Sequence, residues 1–229
     1  AINPAYINSN GASNVGFSPR LAKGGTGDRI FWACVTNTST LQLGYYTQTG
    51  SWSRVSRTVS TLNTGNLSST PAPDGVNWAR RAPTRFRGAY GNTSEVGFLF
   101  TSGPVTGRPQ PFLRVFRFTA DAARTLIAAN DIWNSSTAFT YGAAATNRQG
   151  HVGIVAADGS ASSYVHSSAT IIDNYQPWGG LAFNSMGGGD DSPNQSRWGD
   201  YFDVREHDNY TDTFVGTGMR QLGGSSNSS

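Results

Sequence analysis

The sequence predicts an all-β protein built from repeated units of four antiparallel strands, the arrangement found in the blades of a β-propeller. Three observations carry this prediction. Glycine occurs 28 times, while charged residues make up 14% and aromatic residues 12%, a composition that suits many short strands joined by polar turns. Four segments share one layout of polar turn, apolar strand, loop and second strand. Their first strands start roughly 50 to 65 residues apart, a spacing typical of propeller blades.

In the first two units, turns rich in Gly, Asn and Asp lead into apolar strands. Residues 27–29 precede predicted strands over 30–35 and 41–46, and residues 92–94 precede strands over 96–100 and 112–118. Residues 120–129 have a weak helical pattern and are equally well read as a turn between two strands.

The third and fourth units repeat this layout. Residues 148–150 precede strands over 151–157 and 164–172, and residues 196–197 precede strands over 198–204 and 213–217. The count predicts a propeller of about four to five blades over residues 1–222, followed by a flexible Gly/Ser tail over 223–229. The alternative is one part of a six- or seven-bladed ring that a second chain completes.

Charge and cysteine content narrow the function classes. The net charge of +3 is too small for a general nucleic-acid binder, so we expect no nucleic-acid partner. Eight arginines fall within 80–124 and eight acidic residues within 173–212, which predicts segments that attract one another or lie on solvated loops. No stretch approaches the ~18 apolar residues of a membrane span. Cys34 is the single cysteine, and its apolar surroundings predict a buried thiol.

Composition also predicts an extracellular or cell-surface location. Charge is low, arginine almost replaces lysine, and glycosylation sequons begin at Asn66, Asn92 and Asn209.

Residues 196–201 read Ser-Arg-Trp-Gly-Asp-Tyr and are followed by Asp203, Asp208 and Thr213-Phe214. This pattern distantly resembles the last full repeat of secreted bacterial and fungal β-propellers of the sialidase-like superfamily. The strand at 150–154 is similar to the blade that precedes it, so the resemblance covers roughly the last 90 residues. It implies the propeller architecture. The Ser-x-Asp-x-Gly-x-x-Trp box of sialidases is absent, and Val215 stands where a Trp often follows Thr-Phe, so the resemblance does not carry sialidase chemistry.

Aromatic and arginine side chains form the candidate ligand site. Trp52, Trp78, Trp133 and Trp178 lie near turns or strand ends, where an indole ring beside Asn, Asp or Gly is typical of sugar stacking. The alternative is that each ring fills a gap between blades. The predicted ligand-binding residues are Trp178, Trp198, Asp200, Tyr201, Arg85 and Arg87.

Two further sets are candidates for metal binding and catalysis. Asp190, Asp191, Asp203 and Asp208 offer the hard oxygen ligands that calcium takes, although a polar loop needs no metal, and we expect no required cofactor. The catalytic candidates are His151, His166, Tyr164 and His207, each of which has simple packing as its alternative interpretation.

Two functions remain open. The favoured one is a secreted binding or scaffold module that recognises a polysaccharide or another surface ligand. The alternative is a glycan-active enzyme, a glycoside hydrolase or polysaccharide lyase, with its site at the propeller centre. Binding is favoured because glycoside hydrolysis needs two suitably spaced carboxylates, and no such constellation has a recognisable spacing.

Overall fold

The computed structural model describes residues 20–24, 27–65, 67, 70–192 and 201–223. Fourteen β-strands and no helix occur in these residues. Sheet 1 contains β1 (Arg20–Leu21), β2 (Arg29–Asn37), β3 (Thr40–Thr47) and β4 (Trp52–Thr58). Sheet 2 contains β5 (Phe86–Gly91), β6 (Glu95–Ser102), β7 (Phe112–Thr119) and β8 (Leu126–Ile132). Sheet 3 contains β9 (Thr137–Thr146), β10 (Val152–Ser160), β11 (Ser163–Ile172) and β12 (Asn184–Gly188). A hairpin of β13 (Asp203–His207) and β14 (Tyr210–Thr217) follows.

Each four-stranded sheet is an antiparallel meander, in which strands adjacent in sequence are also adjacent in space. This confirms the all-β class, and a four-stranded antiparallel sheet lies at each of the first three predicted positions. The fourth unit differs, because its described part is a two-stranded hairpin and residues 198–200 lie outside the described part of the chain. The helical interpretation of 120–129 is wrong. These residues form a turn, where Asp121 accepts a hydrogen bond from the Arg124 N–H, and then enter β8.

The first strands of successive units lie side by side. β1 contacts β5, β5 contacts β9, and β9 contacts β13. Next to β1, Lys23 forms a parallel bridge with Tyr90, in which the Lys23 N–H donates to Ala89 O at 3.2 Å and the Gly91 N–H donates to Lys23 O at 2.9 Å. The Lys23 ammonium also pairs with Asp203 at the start of β13. The first and last of these four neighbouring strands, β1 and β13, are therefore linked by an ion pair at their ends.

Apolar side chains fill the spaces between neighbouring sheets. Sheets 1 and 2 share a phenylalanine-rich core that includes Phe31, Phe98 and Phe116. Sheets 2 and 3 share a core that includes Leu99 and Ile154, and these large side chains are fully buried. Each sheet thus covers one face of the next, as the alternating apolar strands require.

The structure decides two single-residue interpretations. Cys34 is buried as expected, and burial raises the pKa of its thiol to about 11, so little of it is thiolate at neutral pH. Trp78, a candidate for sugar stacking, is fully buried and takes the alternative role of filling a gap in the fold, because residues 70–82 pack against sheet 3. No helix in the described ranges is long and apolar enough to cross a membrane.

Candidate functional site

A cavity of about 490 Å³ opens between sheets 2 and 3. Its walls come from the end of β8, the β8–β9 turn, the start of β9, one residue of β10 and the loop between β11 and β12. The lining residues are Asp131, Ile132, Trp133, Asn134, Thr137, Phe139, Asp158, Trp178, Gly179, Gly180, Leu181 and Phe183. We call this space the aromatic cavity. It combines indole and phenyl rings with carboxyl and amide groups, the mixture that recognises small polar ligands with apolar faces.

Trp133 and Trp178 have different roles in the aromatic cavity. Trp133 follows β8 directly, and 44% of its surface is exposed while the Arg108 guanidinium lies 5.3 Å from the ring centroid. Trp178 is half-buried, stacks on Tyr90 with ring centroids 6.1 Å apart, and has the Arg117 guanidinium 5.0 Å from its centroid. Trp133 is therefore the ring available to a ligand, and Trp178 is a fixed part of the wall.

A buried group of polar side chains holds Trp178 in place in the wall of the aromatic cavity. The Tyr90 hydroxyl donates to Glu95 at 2.7 Å, and the Arg117 Nε donates to both Glu95 carboxylate oxygens at 3.1 Å. Burial alone would lower the pKa of Arg117, but the hydrogen bonds and charge of Glu95 raise it overall. Gln176 anchors the loop between β11 and β12, because its side-chain amide donates to Thr170 Oγ1 at 2.6 Å and to Ile171 O at 2.8 Å.

Asp131 is a structural carboxylate. Arg114 Nε and Nη2 donate to its two oxygens at 2.6 and 2.8 Å, and Arg108 Nη2 lies 2.8 Å from Oδ2. Only 6% of the Asp131 side chain is exposed. Because two guanidinium groups neutralise it, this carboxylate fixes the end of β8 and the adjacent Trp133 rather than acting on a ligand.

Asp158 is the second carboxyl group of the aromatic cavity. It lies on β10, opposite Phe139 on β9 and His166 on β11. Burial raises its pKa, and this effect is opposed by the hydrogen bond from the Ser168 hydroxyl and by His166, whose Nδ1 lies 4.0 Å away. Asp158 therefore holds a proton at a higher pH than an ordinary aspartate does.

We expect the Asp158→Asn substitution to change how stability depends on pH. Between the ordinary aspartate pKa of ~3.9 and the raised folded value, the native state binds more protons than the unfolded state. The free energy of unfolding therefore increases as pH falls through this window and decreases again as pH rises. Urea unfolding of both proteins from pH 7 to 4 should show the wild type gaining stability relative to Asp158→Asn. A stability difference that stays constant with pH would contradict this assignment.

The structure separates the predicted ligand-binding residues. Trp178 lies in the wall of the aromatic cavity, whereas Arg85 and Arg87 lie near β1, where burial and then their charges lower the pKa of Arg20. Arg87 lies 5.4 Å from the Tyr141 ring centroid. Tyr201 is 87% exposed. Trp198 and Asp200 fall outside the described residues.

The four catalytic candidates lie in different surroundings. His151 Nδ1 is 3.4 Å from the Asn147 amide nitrogen in the turn before β10. His207 Nδ1 accepts the Asn209 N–H at 3.2 Å in the β13–β14 turn. His166 lies beside Asp158, with the Ser163 hydroxyl 3.4 and 3.5 Å from its two ring nitrogens. Tyr164, on β11, packs against a buried cluster. The Ser163 hydroxyl is almost equally distant from both His166 nitrogens, so these three residues do not have the geometry of a nucleophile–base–carboxylate relay.

Three of the four predicted calcium ligands have a hydrogen-bond or ion-pair partner among the described residues. Asp190 accepts the Gly223 N–H, Asp191 accepts the Ser192 N–H at 2.7 Å, and Asp203 pairs with Lys23. Asp208 lies in the β13–β14 turn. Within the described ranges, no three His, Cys, Asp or Glu side chains come together to hold a metal ion. A calcium site at these residues stays a prediction.

Sequence reasoning missed Asp158, Phe139 and Phe183 as members of a site. Asp158 carries the only available signal, since it is a carboxyl group directly after the apolar run 152–157. Phe139 and Phe183, whose centroids are 5.4 Å apart, come from segments 44 positions apart and meet only through the pairing of sheet 3.

The fold defines the class of this protein as an all-β chain of antiparallel four-stranded meanders, with an aromatic cavity between two of them. No protein-family model and no curated protein sequence matches the chain.

Proposed function

We propose that this protein is a secreted, propeller-type binding module that holds a polysaccharide chain in the aromatic cavity. The observation that carries the proposal is the half-exposed Trp133 ring at a cavity of about 490 Å³ that also presents Asn134, Thr137 and Asp158. A sugar ring has an apolar face that stacks on indole and hydroxyl groups at its edge that need hydrogen-bond partners.

The propeller arrangement is supported by three successive four-stranded meanders and by the contacts among their first strands. In a propeller, the first strands of the blades surround a central channel, and adjacent blades pack face to face. The parallel bridge of Lys23 with Tyr90 and the ion pair of Lys23 with Asp203 fit such a ring.

Binding is favoured over hydrolysis by the state of the two carboxyl groups. A glycoside hydrolase uses one carboxyl group as acid and a second as base or nucleophile. Asp158, whose raised pKa suits an acid, is available, but Asp131 is neutralised by Arg108 and Arg114. Among the described residues of the aromatic cavity, no second carboxylate is free for that role.

The proposal predicts that Trp133→Ala weakens sugar binding without unfolding the protein. Affinity gel electrophoresis against a panel of neutral polysaccharides identifies a ligand, and calorimetry then compares variants. We expect at least a roughly tenfold loss of affinity, since a stacked ring contributes ~1.4 kcal/mol or more. Trp52→Ala is the matched control, because Trp52 is similarly exposed at 48% but lies on β4. Equal binding by both variants, or release of reducing ends from the ligand by the wild type, would overturn the proposal.

A further inference from the structure

Asp158 is the carboxyl group of the aromatic cavity that has no guanidinium partner in the described part of the chain. Asp131 and Glu95, the carboxylates in and behind the cavity wall, each pair with arginine side chains. The ion-pair neighbour of Asp158 is His166, whose Nδ1 lies 4.0 Å from Oδ2, too far for a hydrogen bond. The Ser168 hydroxyl donates to Oδ1, whereas Oδ2 accepts no hydrogen bond from another described residue. Asp158 can therefore take a further donor from a ligand in the cavity.

Two phenylalanine rings lie beside Asp158. Phe139 is its neighbour across the β9–β10 pairing, so both side chains lie on the same face of sheet 3. The centroid of the Phe183 ring is 5.4 Å from that of Phe139. Within the described ranges neither ring has a guanidinium group over it, whereas Trp133 and Trp178 each have one. We call Asp158, Phe139 and Phe183 the Asp158 subsite.

A carboxylate next to aromatic rings is a combination that binds organic cations. The face of an aromatic ring attracts an ammonium group, and the attraction grows where water is excluded. The Asp158 side chain is only 18% exposed. A carboxylate that is largely buried without an ion-pair partner is costly, and a cationic ligand lowers that cost. The Asp158 subsite therefore suits a positively charged group.

The arginines of the cavity direct a cation away from Trp133. Arg108 and Arg114 share Asp131, so one positive charge next to Trp133 is not neutralised by that carboxylate. An ammonium group is repelled at this position and attracted by Asp158. The uncharged face of a sugar ring suits Trp133, and a charged substituent suits the Asp158 subsite. The two parts of the cavity thus fit different parts of one ligand.

We propose that the polysaccharide held in the aromatic cavity contains amino sugars, with Asp158 as the partner of their ammonium groups. This inference rests on the proposed function and adds the class of sugar. An amino sugar supplies both groups that the cavity fits, since its amino substituent lies at the edge of the ring and leaves the face apolar. A neutral sugar uses the same stacking on Trp133, so the charge selects among polysaccharides that stack there.

Choline tests the Asp158 subsite without a sugar. Its control ligand is dimethylbutanol, in which an uncharged quaternary carbon replaces the ammonium nitrogen. In NMR titrations of the full chain at neutral pH, we expect choline to bind on the order of tenfold more tightly, with the largest shifts at the Phe139 and Asp158 amides. Asp158→Asn should remove this preference. Asp28→Asn, which removes a 64% exposed carboxylate beside β2, should retain it. Absence of choline binding, equal binding of both molecules by the wild type, or an unchanged preference in Asp158→Asn would overturn the proposal.

Two glucosamine oligosaccharides, one with free amino groups and one fully N-acetylated, test the sugar class. At neutral pH a large part of the free amino groups is protonated. In calorimetry we expect the wild type to bind the free amine on the order of tenfold more tightly, and Asp158→Asn to lose most of this difference.

The outcomes separate this inference from the proposed function. Equal or tighter binding of the acetylated form, or binding of a neutral polysaccharide while neither oligosaccharide binds, would overturn the amino-sugar assignment and leave sugar binding intact. Choline binding without binding of any polysaccharide would overturn the proposed function, and the amino-sugar assignment with it, and would leave a cation site at Asp158.

Discussion

Asp131→Ala is expected to destabilise the protein by about 3–5 kcal/mol, the cost of leaving largely buried guanidinium groups without their carboxylate. Arg114 donates to Asp131 and Arg108 forms an ion pair with it, and the two arginine side chains are only 11% and 31% exposed. Removal of the carboxylate leaves two like charges close together with little water to solvate them. Urea unfolding monitored by tryptophan fluorescence measures this loss as a lower midpoint.

Asp28→Ala is the control for this prediction. The Asp28 carboxylate is 64% exposed and lies 3.8 Å from Arg29, so its loss should change stability by no more than ~0.5 kcal/mol. Because Asp131 also fixes the end of β8 next to Trp133, we expect the folded fraction of Asp131→Ala to bind sugar more weakly than the wild type. Equal midpoints for the two variants would show that the Asp131 ion pairs add no net stability.

The strands were predictable from local sequence because each is a short apolar run bounded by turn residues. The predicted strand over 30–35 lies within β2, and that over 112–118 lies within β7. Strand pairing also followed, since short connections favour antiparallel neighbours. The fourth unit is different, because the predicted strand over 198–204 begins in residues outside the described ranges, and only Asp203–His207 is a described strand.

Side-chain partners across the fold were not predictable from local sequence. The arginines in 80–124 were expected to attract the acidic residues in 173–212 or to lie on solvated loops. Instead, Arg108 and Arg114 pair with Asp131 and Arg117 pairs with Glu95, all within sheet 2 and the loop before β7. These pairs depend on strand register, since Arg114 faces Asp131 across β7 and β8. Composition gives the number of charges, whereas the register decides which of them meet.

The side-chain contacts of the aromatic cavity were likewise not predictable from local sequence. Trp133 and Trp178 were recognisable as tryptophans beside turns, a position typical of sugar stacking. Which of the two rings remains available depends on Tyr90 and Arg117, which lie on sheet 2 and enclose Trp178. A single sequence carries no signal of that contact, because Tyr90 and Trp178 are 88 positions apart and belong to different units.

Gly88→Ala is expected to destabilise the protein by about 1–3 kcal/mol, towards the upper end of that range, because it forces two first strands apart. A Cβ atom at Gly88 on β5 would lie 2.7 Å from Gly142 O and 3.0 Å from both Ala143 Cα and Ala144 N on β9. These are backbone atoms of a paired strand, which cannot move aside as a flexible side chain can. Thermal unfolding should show the loss as a Tm lowered by several degrees.

Gly179→Ala is the matched control, since a Cβ atom there has no neighbour within 4 Å and the backbone does not have a positive φ. We expect a change in stability within ~0.5 kcal/mol. The contrast tests the packing of the first strands directly. If β5 and β9 pack in solution as closely as the distances at Gly88 indicate, only Gly88→Ala lowers the free energy of unfolding. Equal Tm values for both variants would mean that the first strands lie farther apart, and the propeller arrangement would then lose its main physical support.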